Sequence, residues 1–403
     1  MSASTEFRPG QPPEPVMPPV TELGVVGWLK KNLFNSWYNT LLTLATLWLL
    51  YKLGGGLLSW ALFKANWGVV GKNLQVLMVG GYPAEHLWRV WLVVAIAAFW
   101  SGVTWGGWAR MNRMSAIGLG VALLLLQLLP ISTASRIWVA ASVLLIPAGL
   151  VAGTFLARWR CWVIFLWGPV FVGTLLVLGG AAWTGLPLVE TSRWNGLMLT
   201  ILLAVTGIVA CFPIGVLLAL GRQSSLPAIR WVSIGYIEVI RGVPLVTVLF
   251  MGSLVIPLFL PEGIRIQDVI RAFIGLTLFE AAYMAENIRG GLQALSKGQM
   301  EAAQALGLRG WQSILLIQLP QALRAVIPAM VGQFIALLKD TSLISIIGLA
   351  EFTFIAKAVL RHPENIRFHF EIYLFVAFVY WLLCYSLAVA SRRLEKRLGV
   401  GER

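Results

Sequence analysis

The chain has 403 residues, of which 58% are hydrophobic and only 12% charged, with a mean hydropathy of +0.80. Soluble domains carry about a quarter charged residues, so an ordinary globular enzyme is excluded and the solvent to reason against is a bilayer. The 31 Lys and Arg exceed the 17 Asp and Glu by a formal +14. They fall in short clusters between apolar runs, which points to membrane topology rather than to nucleic acid.

In chain order, residues 1–36 read as a cytoplasmic tail. Its first part, Met1 to Gly27, is rich in Pro and polar groups and lacks the basic start, apolar centre and small-residue cleavage site of a signal peptide. A hydrocarbon core about 30 Å thick needs roughly 20 apolar residues per helical span. Ten runs meet that criterion, near 37–60, 90–108, 114–131, 137–157, 161–183, 196–220, 243–260, 269–289, 325–346 and 368–391. None shows the alternation of barrel strands, so the predicted class is an all-α integral membrane protein of about ten transmembrane helices. With the amino terminus inside, Lys30, Lys31, Arg110, Arg113, Arg222, Arg230, Arg309, Arg392 and Arg393 are among the basic residues that fall on the inner side. Both termini and the loop at about 290–324 are then cytoplasmic.

The two halves differ in chemistry. Residues 37–193 form a predicted five-helix extension of Leu, Val, Ala and Trp, with Trp88, Trp91, Trp105 and Trp108 suited to the membrane interface. Residues 194–403 bring charged and amide groups into or beside the spans: Arg241, Glu280, Glu286, Gln333, Lys339 and Asp340. An ionisable group at the centre of a span costs about 2.5–3.5 kcal/mol on insertion scales and often marks a transport path. Cys161, Cys211 and Cys384 lie in apolar runs without metal-ligand spacing and read as reduced structural thiols. His86, His362 and His369 fall in or beside loops and make no metal set. No phosphate loop of the form GxxxxGK[ST] is present, so the chain itself is not expected to hydrolyse ATP, and no cofactor is expected on it.

The stretch from Glu301 to Pro320 is the most informative. Glu301 to Leu306 are mostly good helix formers, Gly307 permits a sharp turn, Trp311 to Gln318 suit a second helix, and Pro320 disfavours its unbroken continuation. Leu308, Trp311 and Leu315 share an apolar face while Gln304, Arg309 and Gln312 stay polar, which asks for a partner groove. Glu301-Ala302-Ala303, Gly307, Ile317 and Leu319-Pro320 at this spacing resemble the EAA loop of permease subunits of bacterial ATP-binding cassette importers. Arg241-Gly242-Val243-Pro244-Leu245, Ala282 to Gly290, Gly298-Gln299-Met300 and Leu338 to Leu343 narrow the resemblance to the polar amino acid permeases. Gly24 to Leu29, Asn32-Leu33-Phe34 and Asn39 to Leu44 are similar to the longer permease subclass of general L-amino acid importers, which carries extra amino-terminal helices.

The resemblance implies a type I importer permease core in the carboxy-terminal half and alternating access in the bacterial inner membrane. It also implies four kinds of contact: two copies of an ATPase subunit that hold ATP and Mg, a second homologous permease, a periplasmic amino acid binding protein, and membrane lipid. The coupling residues it implies are Glu301, Ala302, Ala303, Gly307, Leu308, Trp311, Leu315, Leu319 and Pro320, with Glu301 near a basic residue of the ATPase. For the substrate path the candidates are Gln333, Glu280, Thr341, Ser342, Arg241 and Lys339.

Each candidate also has a bland reading. Glu301 suits the first turn of any helix, Gly307 suits a helix end, and Arg241 suits a snorkelling side chain. Glu286 reads as a structural ion pair with Arg289 or Lys339, and Gln333 as an interhelical amide. Lys339 and Asp340 read as a neighbouring ion pair, with Thr341 and Ser342 supplying hydroxyls to the path or to backbone carbonyls. The rival functional classes are an ion-coupled secondary amino acid transporter or channel using Glu280, and a scaffold built on the leading helices.

Overall fold

The computed structural model describes residues 24–108, 133–181, 184–261, 263–296 and 298–399. Among these the chain is helical, and the pairing outside helices is limited to isolated bridges between Ala181 and Leu186 and between Gly196 and Glu351. The fold is the expected all-α membrane class.

Met1–Asn66 and Trp67–Arg403 form two compact units. The first holds α1 (Gly24–Asn32) and α2 (Trp37–Phe63), and no residue of α2 is buried. Leu, Trp and Tyr face outward all round this helix, as suits a segment whose surroundings are lipid.

The second unit begins with α3 (Gly68–Val79), α4 (Leu87–Trp108) and α5 (Thr133–Phe155). Helices α4 and α5 meet along two facing Gly-xxx-Gly stripes. A Cβ on Gly102, Gly106, Gly149 or Gly153 would stand 2.1–2.2 Å from a backbone oxygen of the other helix, so only glycine permits this approach. Arg89, fully buried in α4, donates to the Pro187 carbonyl at 2.8 Å, and the Tyr82 hydroxyl donates to the Leu178 carbonyl at 2.8 Å. These bonds pin the start of α4 to the segment around residues 178–187. Helix α3 precedes residue 194, yet its Val69, Val70 and Leu77 share a core with Phe352, Ile355 and Ile372 of the carboxy-terminal half.

The expected span at 161–183 is divided into α6 (Arg160–Phe165) and α7 (Trp167–Gly179). Pro169 offers no N–H to the Phe165 carbonyl four residues earlier, and the helix gives way there. The rest of the second unit comprises α8 (Gly196–Arg222), α9 (Pro227–Gly242), α10 (Leu245–Phe250) and α11 (Asp268–Gln293). It continues with α12 (Gly298–Ala305), α13 (Gly310–Ser313), α14 (Leu319–Asp340), α15 (Phe352–Leu360) and α16 (His369–Leu398).

Helices α8, α11 and α14 form the centre. Thr191 and Gln267, just ahead of α8 and α11, share a 2.5 Å hydrogen bond, and Gly215 packs on Met284, so these two helices run parallel. Gly207 packs on Leu337, and Gly291 on Ala322 and Val326, so α14 runs antiparallel to both. The unit thus has a loop end, bearing α12 and α13, and a far end near Thr191 and Gln267.

Among the described residues, six helices are long and apolar enough to cross a membrane, or seven when the bent pair Pro227–Gly242 and Leu245–Phe259 counts as one span. They correspond to the expected runs at 37–60, 90–108, 137–157, 196–220, 243–260, 325–346 and 368–391. The run at 269–289 is α11, whose 26 residues suffice in length but include Arg271, Glu280, Glu286 and Arg289. The run at 114–131 lies outside the described residues. The bent pair turns by 108° at Val243 and Pro244, where the missing N–H of Pro244 and the extended backbone imposed on Val243 end α9.

Candidate functional site

The Glu301–Pro320 segment forms two helical arms around a glycine. Helix α12 ends at Ala305, and Gly307 adopts φ +79°, the left-handed conformation that glycine reaches without a Cβ penalty. The Gly307 N–H donates to the Gln304 carbonyl at 2.9 Å and the Leu308 N–H to the Ala303 carbonyl at 3.1 Å, closing the helix end. Beyond the turn, the Arg309 N–H donates to Gln312 Oε1 at 2.9 Å and starts α13.

Pro320 does not interrupt the second arm, contrary to the expectation from its residue type. Ile314–Gln318 form a π turn, with the Leu319 N–H reaching back to the Ile314 carbonyl, and Pro320 falls in the first turn of α14. Widening the helix by one residue shifts the bonding register where the proline lacks its donor, so the chain stays helical from Gly310 to Ile347. The first arm and the turn stand clear of the bundle. Glu301 and Ala302 are exposed, as are Leu306 at 81% and Trp311 at 59%, while Ala303 is buried and Leu308 and Leu319 are half-buried. Leu315 and the neighbouring Leu316 are also exposed.

Gln333 and Glu280, far apart in sequence, are in direct contact. Gln333 Nε2 donates to Glu280 Oε2 at 2.6 Å, bridging α14 and α11. Glu280 is fully buried and has the Asp340 carboxyl of α14 as its other close polar neighbour, while Thr277 Oγ1, one turn away, is buried and unpartnered. The remaining path candidates do not join this pair in one site. Thr341 is buried and donates to the Leu338 carbonyl at 2.6 Å, and the Ser342 carbonyl accepts from Ser345. Lys339 is exposed and makes no ion pair at contact distance with Asp340, so the neighbouring pair read from the sequence does not form. Consecutive residues on a helix diverge by about 100°, which turns the two side chains apart.

Arg241 lies with Glu286 rather than with Glu280. Its Nη1 is 3.5 Å from Glu286 Oε2, and its guanidinium sits over the Tyr283 ring at 5.5 Å. Glu286 also pairs with Arg289, as expected, and stands 3.7 Å from Arg222. Arg222 in turn bonds Glu238 at 2.8 Å. Sequence reasoning misses the parts played by Arg222 and Glu238, because they sit on separate helices and no periodicity links them.

It also misses Glu351, although an acid immediately before an apolar helical run is a legible capping signal. Glu351 is fully buried, accepts from the Thr353 and Phe354 N–H groups at 2.8 and 2.7 Å, and accepts from the Tyr380 hydroxyl at 3.3 Å. At the far end a cavity of about 380 Å³ is lined by Glu190, Thr191, Asn195, Gln267, Asp268 and Gly348.

Known proteins share this sequence pattern over most of its length. Residues 211–400 match the family described as binding-protein-dependent transport system inner membrane component. The chain is 39% identical to the inner membrane amino-acid ABC transporter permease protein YhdY of Escherichia coli (strain K12), over 93% of each chain. It is 33% identical to the glutamate/glutamine/aspartate/asparagine transport system permease protein BztC of Rhodobacter capsulatus, over 94% of this chain and 95% of that one. Among solved structures, a crystal structure of an amino acid ABC transporter with histidines aligns with 50% of this chain and 92% of that chain, at 31% identity and a TM-score of 0.46. The chain belongs to the family of inner membrane amino-acid ABC transporter permeases.

Proposed function

We propose that this permease carries polar L-amino acids inward by alternating access, driven by separate ATPase subunits that engage the segment from Glu301 to Pro320. The observation that carries this reading is the connection of an exposed apolar surface to a buried carboxylate through its half-buried amide partner. Leu306, Trp311 and Leu315 face outward, and the helix that begins at Gly310 continues without a break to Gln333, whose amide holds Glu280. A push on the exposed arms therefore reaches the centre of the bundle. Ala303, Gly307, Leu308, Leu319 and Pro320 shape the arms, and Glu301 and Ala302 offer a carboxylate and a small surface to the ATPase. Moving a two-state equilibrium from 1:99 to 99:1 takes about 5.5 kcal/mol of differential binding, which ATP and Mg on the partner subunits supply.

In this reading Glu280 and Gln333 line the substrate path, while Thr341, Ser342, Arg241 and Lys339 border it. Residues 194–403 work as the permease core, 37–193 as a membrane extension and 1–36 as a cytoplasmic tail, with both termini cytoplasmic. The assembly contains a second permease of the same family and takes its cargo from a periplasmic binding protein. The substrates named for BztC, four polar amino acids, support the choice of cargo.

The test is uptake of labelled amino acids by vesicles containing the reconstituted complex. Glu301→Ala is expected to lower uptake and substrate-stimulated ATP hydrolysis by at least about tenfold while the protein still inserts. Gly307→Pro should do the same, because a proline φ near −65° is incompatible with the observed +79°. Uptake at the unsubstituted rate in both variants overturns the coupling role.

A further inference from the structure

At the loop end, a single carboxylate is shared by arginines from three helices. Glu286 of α11 takes Arg289 Nε at 2.9 Å together with its Nη2, Arg241 of α9 at 3.5 Å, and Arg222 of α8 at 3.7 Å. Glu238 adds a second carboxylate on Arg222 at 2.8 Å. Three guanidinium groups thus face two carboxylates, and one positive charge is left over.

The shortage shows in the bonding as well, since Arg241 Nε is buried without a hydrogen-bond partner. Side-chain exposures of 24% for Arg222, 33% for Arg241, 25% for Arg289 and 22% for Glu286 place the cluster at a wet boundary. Pairs in such surroundings are held loosely enough to exchange, unlike pairs locked in a dry core.

Its position gives the cluster leverage. Arg241 comes just before the break at Val243 and Pro244, so it fixes the inner half of the bent span. Glu286 lies on the helix that runs directly into the coupling segment, and little more than one turn further on Gly291 touches the backbone of Ala322, where a Cβ would meet the Ala322 oxygen at 2.8 Å. Movement of the exposed arms relative to α14 therefore pulls on the end of α11 that carries Glu286.

We infer that Glu286 is a positioning residue for the transport cycle: it clamps α8 and the inner half of the broken span to α11, and the clamp releases when the coupling segment moves. The inference rests on the coupling role proposed above. Removing this one carboxylate leaves three guanidinium groups with Glu238 alone to offset them, so the clamp opens without the usual signal.

The experiment compares ATP hydrolysis and uptake by the reconstituted complex with and without loaded binding protein. Glu286→Gln, which keeps size and removes charge, is expected to raise hydrolysis in the absence of binding protein by about threefold, the scale of a partly exposed ion pair. It should lower the amount of substrate carried per ATP, leave the substrate KM unchanged, and be rescued by Glu286→Asp. Arg222→Gln removes the most distant arm and serves if Glu286→Gln does not assemble; it should shift hydrolysis in the same direction by a smaller factor.

An unaltered ratio of unstimulated to stimulated hydrolysis in the assembled variant overturns the proposal. So does a parallel fall of both rates with the yield of assembled complex, which is the signature of a merely structural pair. Glu301→Ala run alongside separates the two ideas: raised unstimulated hydrolysis in Glu286→Gln together with unaffected coupling in Glu301→Ala retains the clamp and removes the coupling segment as its trigger.

Discussion

Two buried or half-buried glutamates each tie several elements together, at opposite ends of the same helical centre, and they do so with different chemistry. Glu351 at the far end is fully buried and takes two backbone N–H groups and a tyrosine hydroxyl. Around it, the Phe352 N–H donates to Thr200 at 3.1 Å and the Gly196 N–H to the Ala350 carbonyl at 2.8 Å. Glu286 at the loop end instead meets side-chain cations, at partly wetted positions. Backbone donors in a dry site fix one geometry, because an unmade bond there costs its full desolvation. Long flexible cations near water can change partners at little cost. The far end is therefore held in one geometry, and the loop end is the part that the clamp proposed above can release.

The contrast between the two ends breaks most readily at Glu351. Glu351→Ala leaves two helix N–H groups of α15 without acceptors and should lower stability by roughly 2–4 kcal/mol, from the lost cap and the unsatisfied donors together. Thermal unfolding of the detergent-solubilised protein measures this, and an unchanged transition would show that the far end is not a fixed point.

A second variant asks whether rigidity elsewhere matters to transport. Gly149→Leu puts a side chain where even a Cβ would stand 2.1 Å from the Phe99 oxygen. It should cost at least about 1–3 kcal/mol, because a backbone and not a flexible side chain must give way, yet uptake by the complexes that still assemble should be unchanged, since α4 and α5 carry none of the polar groups of the proposed path.

The smallest stability effect is expected at the loop end. Glu286→Gln should shift unfolding by at most about 1 kcal/mol, as for other partly exposed ion pairs, even while it alters the hydrolysis ratio. A loss as large as that of Glu351→Ala would erase the distinction between the two ends.

Much of this architecture can be read from the residues, for reasons that differ by region. Apolar runs such as 196–220 are visible because lipid demands length and hydrophobicity at once. Gly307 is visible because a left-handed turn has few other residue choices. Helix α9 is absent from the expected spans, since Arg230, Glu238 and Arg241 interrupt its apolar positions and hide a helix that packs through Ser233 and Ile237. Pro320 misleads because a helix can absorb a proline by widening one turn. The contact of Glu280 with Gln333, and of Arg222 with Glu286, depends on which helix faces which, and neither periodicity nor composition along one chain encodes that.

Length alone gives the unbroken stretch from Gly310 to Ile347 a mechanical property. Its 38 residues, with a π turn at Ile314–Gln318 and a 3-10 end at Thr341–Ile347, run for roughly 57 Å at about 1.5 Å per residue, nearly twice the ~30 Å of a hydrocarbon core. Leaning a stretch of that length by about five degrees displaces its tip by about 5 Å, close to one helical turn. In the coupling role proposed above, a shift of ångström scale at the Gly310 end is carried along one continuous helical stretch toward Ile347.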